Sequence, residues 1–141
     1  MSIEPIQPPT FPAPKGYSNG VLVRGPHDLL VVAGQIGWDA EERIVSDDFV
    51  AQFDRALANV LAVVRAAGGG PEHVVRLTMY ATDKREYLDR LREVGAAYRE
   101  RMGRHYPAMA MVEVKALVED GAKIEIEATA ALPRAAANEE T

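Results

Sequence analysis

A chain of 141 residues that is 48% hydrophobic and 26% charged fits about one domain and can bury a core without covalent staples. Having no cysteine, it has no disulfide, iron–sulfur cluster, thiolate zinc site or thiol nucleophile. Its net charge of −5 has the wrong sign for broad contact with a phosphate backbone, and no apolar run reaches the ~18 residues of a membrane helix. The expectation is a cytoplasmic domain with neither a membrane nor a nucleic-acid partner.

In chain order, Pro5, Pro8, Pro9, Pro12 and Pro14 predict an extended arm over residues 1–15 without regular structure. Val21–Val23 and Leu29–Ala33 are short apolar runs, and Arg24-Gly25-Pro26-His27-Asp28 between them reads as the turn of a hairpin. Phe49, Phe53, Ala56, Leu57, Val60, Leu61 and Val64 recur at three and four, which predicts an amphipathic helix. Ser46 or Asp47 caps it, and Gly68-Gly69-Gly70-Pro71 ends it.

Val75, Leu77, Met79 and Ala81 then alternate with Arg76, Thr78, Tyr80 and Thr82, the period of a strand. Asp83 and Glu86 have the spacing of a capping box and open a second helix, striped by Leu91, Val94, Tyr98 and Met102 and closed at Gly103. Two more strands, Ala108–Lys115 and Lys123–Ala131, follow. Alternation puts Ala110, Val112 and Val114 with Ile124, Ile126 and Ala128 on a face suited to lie under helices. It leaves Met109, Met111, Glu113 and Lys115 with Glu125, Glu127 and Thr129 on the other. The order β-β-α-β-α-β-β predicts an α+β fold, one mixed sheet with two helices on one face. Residues 1–132 form the single domain and 133–141 a flexible tail. The half-apolar second face needs a cover, which implies an oligomer.

Most candidate chemistry has a plain reading. His27, His73 and His105 lack the spacing of a metal motif, so no metal site is expected. Ser18 and Ser46 have no nucleophile elbow around them, and the three glycines lack the Lys-Ser/Thr of a phosphate loop. Three features stand apart. Gly16-Tyr17-Ser18-Asn19-Gly20 sets a phenol at a strand edge. Ala33-Gly34-Gln35-Ile36-Gly37-Trp38 ends a strand on a glycine that bares its backbone. Glu125 lies on a strand face that looks interior, a costly place for a carboxylate unless it is paired or wet.

Tyr17-Ser18-Asn19-Gly20, Val31-Val32-Ala33-Gly34-Gln35-Ile36, Ala56-Leu57-Ala58-Asn59-Val60, Pro107-Ala108 and Lys123-Ile124-Glu125-Ile126-Glu127-Ala128 together resemble the RidA/YjgF (Rid) superfamily, from about Tyr17 to Ala131. The resemblance implies a chorismate-mutase-like fold, a homotrimer with small-molecule clefts at its subunit interfaces, and hydrolysis of enamines and imines to ketoacid and ammonia with no cofactor. It implies Glu125 as the proton-handling catalytic group, with Tyr17 and Gly34 binding substrate. The chain departs from the active branch at four places. Met109 stands where that branch grips the substrate carboxylate with an arginine, Met111 where it has a cysteine, Ala33 where it has a serine, and Gly95 where it has an asparagine. Methionine supplies no donors to a carboxylate, so Met109, Met111 and Trp38 are expected to shape a more apolar pocket for an altered substrate. A non-catalytic small-molecule-binding trimer is the alternative.

Overall fold

A computed structural model describes residues 1–134. It contains β1 (Ser2–Ile6), β2 (Gly20–Arg24), β3 (His27–Ile36), α1 (Phe49–Ala66), β4 (Val74–Ala81), α2 (Lys84–Leu88), α3 (Leu91–Met102), β5 (Ala108–Glu113) and β6 (Ile124–Pro133). Four strands make a mixed sheet in the order β3-β6-β4-β5, and β1 pairs with β2 in a separate ribbon. β4 and β5 run parallel because α2 and α3 connect them as a crossover; the other pairs are antiparallel. No helix among the described residues is long and apolar enough to cross a membrane.

α1 supplies the largest part of the core. Its stripe, with Phe53, Leu57, Val60, Leu61 and Val64 buried, lies on Leu77, Ile124, Ile126 and Ala128 of the sheet. The cap is Asp48, one residue after Asp47 and two after Ser46: its side chain accepts the Ala51 N–H at 3.0 Å, and the Ser46 hydroxyl accepts the Asp48 N–H. At its far end Gly68, at φ 89°, lets the Gly69 N–H reach the Val64 carbonyl at 3.0 Å, so the last turn closes as a Schellman motif.

Other expectations are corrected. Residues 2–6 of the proline-rich arm are a strand, Ser2 opposite Arg24 and Ile6 opposite Gly20. β2 spends its hydrogen bonds there, so β2 and β3 do not form a hairpin. The second helix is broken at Asp89-Arg90. Asp83 caps only the short α2 through the Arg85 N–H at 2.9 Å, and Glu86 turns away to Lys123 at 3.4 Å. Pro133 closes β6 opposite His27 and is not the first residue of a tail. The rest of the expected tail, residues 135–141, lies outside the described residues.

The sheet register also corrects the two faces. Met109 sits beside Leu77 and Met111 beside Met79, so both methionines share the helix-covered face with Ile124, Ile126 and Ala128. Glu125 lies opposite Tyr80 and Glu127 opposite Thr78, on the open face. Ala110 and Val112 are on the open face as well, Val112 being 44% exposed. At its β3 margin this face ends on Leu29 and Val31, 65% and 72% exposed.

Candidate functional site

Two regions of the sheet carry chemistry, one on each face. The first is built by an irregularity in β3. Val32 pairs with Ala128 but Gln35 with Ile126, so one extra residue is accommodated at Ala33-Gly34, a β-bulge. A side chain at Gly34 would start 2.7 Å from the Glu125 Oε2 and 2.8 Å from its carboxyl carbon, so the carboxylate rests directly on glycine backbone. Glu125 is half-buried and makes no hydrogen bond or ion pair among the described residues. Its neighbour across the strand, Tyr80, donates its phenol proton to Glu127 at 2.6 Å. That bond, with some burial and the charges of Glu127 and Glu125, holds the Tyr80 phenol above its ordinary pKa and so neutral. Glu127 is thus engaged, and Glu125 is open to a ligand.

The second region is a cavity of about 280 Å³ between the sheet and α3. Met109 forms part of its floor, and Phe53, Tyr87, Tyr98 and Tyr106 give aromatic walls. Tyr98 and Tyr106 stack with ring centroids 5.4 Å apart, and the Tyr98 hydroxyl donates to the His105 carbonyl at 2.6 Å. Burial drives the Tyr98 phenol far above its usual range. Lys15 and Arg99 complete the cavity lining, which contains no carboxylate.

The expected site residues are thereby divided. Gly34 and Glu125 meet, with Ala33 beside them in the bulge. Met109 lies in the cavity on the opposite face of the same chain, and Met111 packs against the core. Tyr17, 40% exposed, lines a neighbouring depression with Arg104, His105 and Tyr106. It is placed by Ser18, whose N–H bonds the Pro107 carbonyl at 3.1 Å and which bridges Ala108 in parallel, extending the edge of β5. Trp38 lines a third depression with Gln35, Asp39 and Arg55; Asn59 holds its carbonyl at 3.0 Å. Within one chain Trp38 and Met109 do not share a pocket.

The three histidines all face backbone. His27 Nδ1 lies 2.9 Å from the Gly25 carbonyl, His73 Nδ1 accepts the Gly70 N–H, and His105 Nε2 lies 2.6 Å from the Val74 carbonyl. Among the described residues no group of three His, Asp or Glu side chains converges as a metal site would require. Sequence reasoning passed over Tyr80, Glu127, Lys15 and Arg99. Tyr80 and Glu127 were visible as polar members of alternating strands, but not as partners.

A mixed sheet backed by helices on one face, with a half-buried carboxylate on the other, defines a YjgF-type α+β fold. A Rid-family protein of unknown function from Yersinia pestis, YyfB, superposes with a TM-score of 0.82 at 33% identity, covering 94% of this chain and 100% of its own. The family model described as Endoribonuclease L-PSP matches residues 9–132, and the chain belongs to that family, the YjgF/Rid superfamily. A RutC family protein, y4sK, of Sinorhizobium fredii is 38% identical over 132 residues, 92% of this chain and 98% of the relative. The 2-iminobutanoate/2-iminopropanoate deaminase of Salmonella typhimurium is 35% identical over 105 residues, 72% of this chain and 78% of the relative.

Proposed function

We propose that the chain is a cofactor-independent hydrolase of imines or enamines, acting as a homotrimer on a substrate other than the small carboxylate-anchored imino acids of the active branch. The observation that carries this reading is the unpartnered Glu125 carboxylate seated on the Gly34 backbone. Hydrolysis of an imine needs one water and one proton relay. Glu125 accepts a proton from water as its oxygen attacks the imine carbon and returns it to nitrogen, giving a carbinolamine; it then takes the new hydroxyl proton and passes it to the amine, so that the C–N bond breaks and ammonia leaves as the carbonyl forms. The Gly34 N–H and Tyr17 hydroxyl are the donors that orient the substrate. Met109 and Glu125 lie on opposite faces of one sheet, so a cleft containing both must be shared by two copies. A trimer supplies such clefts, and it covers Leu29 and Val31. The net charge of −5 weighs against RNA as the substrate, whatever the family description suggests.

Ammonia release from a panel of imines and enamines tests the reading. General acid–base groups contribute roughly 10²–10⁴-fold, so Glu125→Gln should lower turnover of the best substrate by about that factor with the fold intact. Unchanged turnover would remove Glu125 from the reaction. One observation favours the second reading, a non-catalytic binding trimer: methionine in place of the arginine removes a charge-assisted fork of donors. Ligand binding with no ammonia release from any panel member would select it.

A further inference from the structure

α3 contains a glycine that its apolar stripe does not need. Gly95 lies mid-helix, where glycine disfavours the helical state relative to alanine. A Cβ there would stand 3.1 Å from the Arg99 Nη1, so the missing methyl is the space over which the guanidinium lies. Arg99 makes no hydrogen bond or ion pair among the described residues, unlike the next arginine, Arg101, which holds Asp54 with two bonds at 2.6 and 2.9 Å.

The cavity that Arg99 lines has a polarity opposite to that of the chain. Two cations, Arg99 and Lys15, and no carboxylate line it, in a protein whose net charge is −5. The other walls are aromatic or apolar, with Met109 on the floor. Such a lining fits an anion with an apolar body: the anion at the cationic rim, the body against the tyrosines.

We propose that Arg99, seated over Gly95 and assisted by Lys15, anchors the carboxylate of the ligand in this cavity, and that the ligand is an aryl-substituted monocarboxylate. The cation is supplied from α3 and not from the strand position that Met109 holds. A carboxylate therefore binds nearer the rim, and the space above Met109 is left for the ring. The inference rests on reading this cavity as the ligand cavity; it does not depend on turnover.

The test is calorimetric titration of the full chain with phenylacetate and with its neutral isostere phenylacetamide. The wild type should bind the acid about tenfold or more tightly than the amide, the size expected for a hydrogen-bonded charge. Arg99→Gln should erase that preference without moving the melting temperature, since the side chain makes no bonds within the described protein. Arg99→Lys should keep part of it. Gly95→Ala should weaken acid binding while raising the melting temperature, a divergence that a purely structural glycine would not produce. Equal binding of acid and amide by the wild type, or an undiminished preference in Arg99→Gln, would overturn the proposal. The two readings fail separately. Arg99-dependent acid binding without any ammonia release leaves the anchor standing and ends the hydrolase reading. A Glu125-dependent turnover with no Arg99-dependent preference does the reverse.

Discussion

Gln52 is the buried polar side chain on which the approach to β6 depends, and its replacement by leucine should be costly. It is 0% exposed on the inner side of α1. Its amide nitrogen donates to the Ser46 carbonyl at 2.8 Å and the Gly121 carbonyl at 2.9 Å, and its oxygen accepts the Lys123 N–H at 2.8 Å. Gln52→Leu preserves volume but orphans two carbonyls and one N–H at once. Each unsatisfied buried group costs about 1–3 kcal/mol, and burying the leucine returns about 1.5–3 kcal/mol, which leaves a net loss of about 3 kcal/mol. That is a large share of the roughly 5–15 kcal/mol typical of a domain, and a fall in melting temperature on the order of 10 °C. Urea unfolding at fixed protein concentration should show a lower midpoint with an unchanged slope. Because Lys123 is two residues before Glu125, the variant should also lose turnover as the 121–123 turn loosens. A loss below about 1 kcal/mol with an unchanged slope would show that the three backbone groups find other partners, and the reasoning would fail.

Gly34→Ala should lower turnover by about a hundredfold with little change in melting temperature, because the new methyl starts 2.7 Å from the Glu125 Oε2 and must displace the carboxylate by most of an ångström. Full activity in that variant would mean that Glu125 works from another position. Asp54 and Asp48 are both held below the usual carboxylate range, the first by its hydrogen bonds from Arg101 and the second by those from Arg90 and the Ala51 N–H. A depressed folded pKa gives stability that is full above the unfolded value of about 3.9 and is lost as pH falls through the folded value. Asp54→Asn should therefore cost about 1 kcal/mol at pH 7, the pair being partly exposed, and in thermal melts the difference should shrink as pH falls below the unfolded value and vanish once Asp54 is protonated in the folded protein. A difference that does not shrink as pH falls would refute the ionic origin. Met109→Arg should raise affinity for 2-oxobutanoate by about tenfold in calorimetry, since it restores a guanidinium to the cavity floor. No change would show that residue 109 does not face the ligand.

The elements with strong local periodicity were readable from the residues alone. α1, the alternation of β4 and β6, and the glycine stop after Ala67 each arise from interactions within a few residues, so a short window contains them. Glu125 and Gly34 could be singled out for the same reason: a carboxylate in an apolar alternation and a glycine ending a strand are local anomalies. Their contact was not local. It exists because β3 pairs with β6 and a bulge at Ala33-Gly34 sets the register, which no window around either residue includes.

The phase of β5 was likewise undetermined. Alternation says that Met109 and Met111 share a side, but only parallel pairing with β4 decides that this is the side of Leu77 and Ile126 and not that of Glu125. The partner of β2, the break between α2 and α3 and the approach of Arg99 to the Met109 cavity depend in the same way on which distant segments compete for a backbone or a surface. Residue types and their spacing thus determined which side chains were available for chemistry. Strand pairing decided which of them face one another, because a one-residue shift in register carries every side chain to the other side of the sheet.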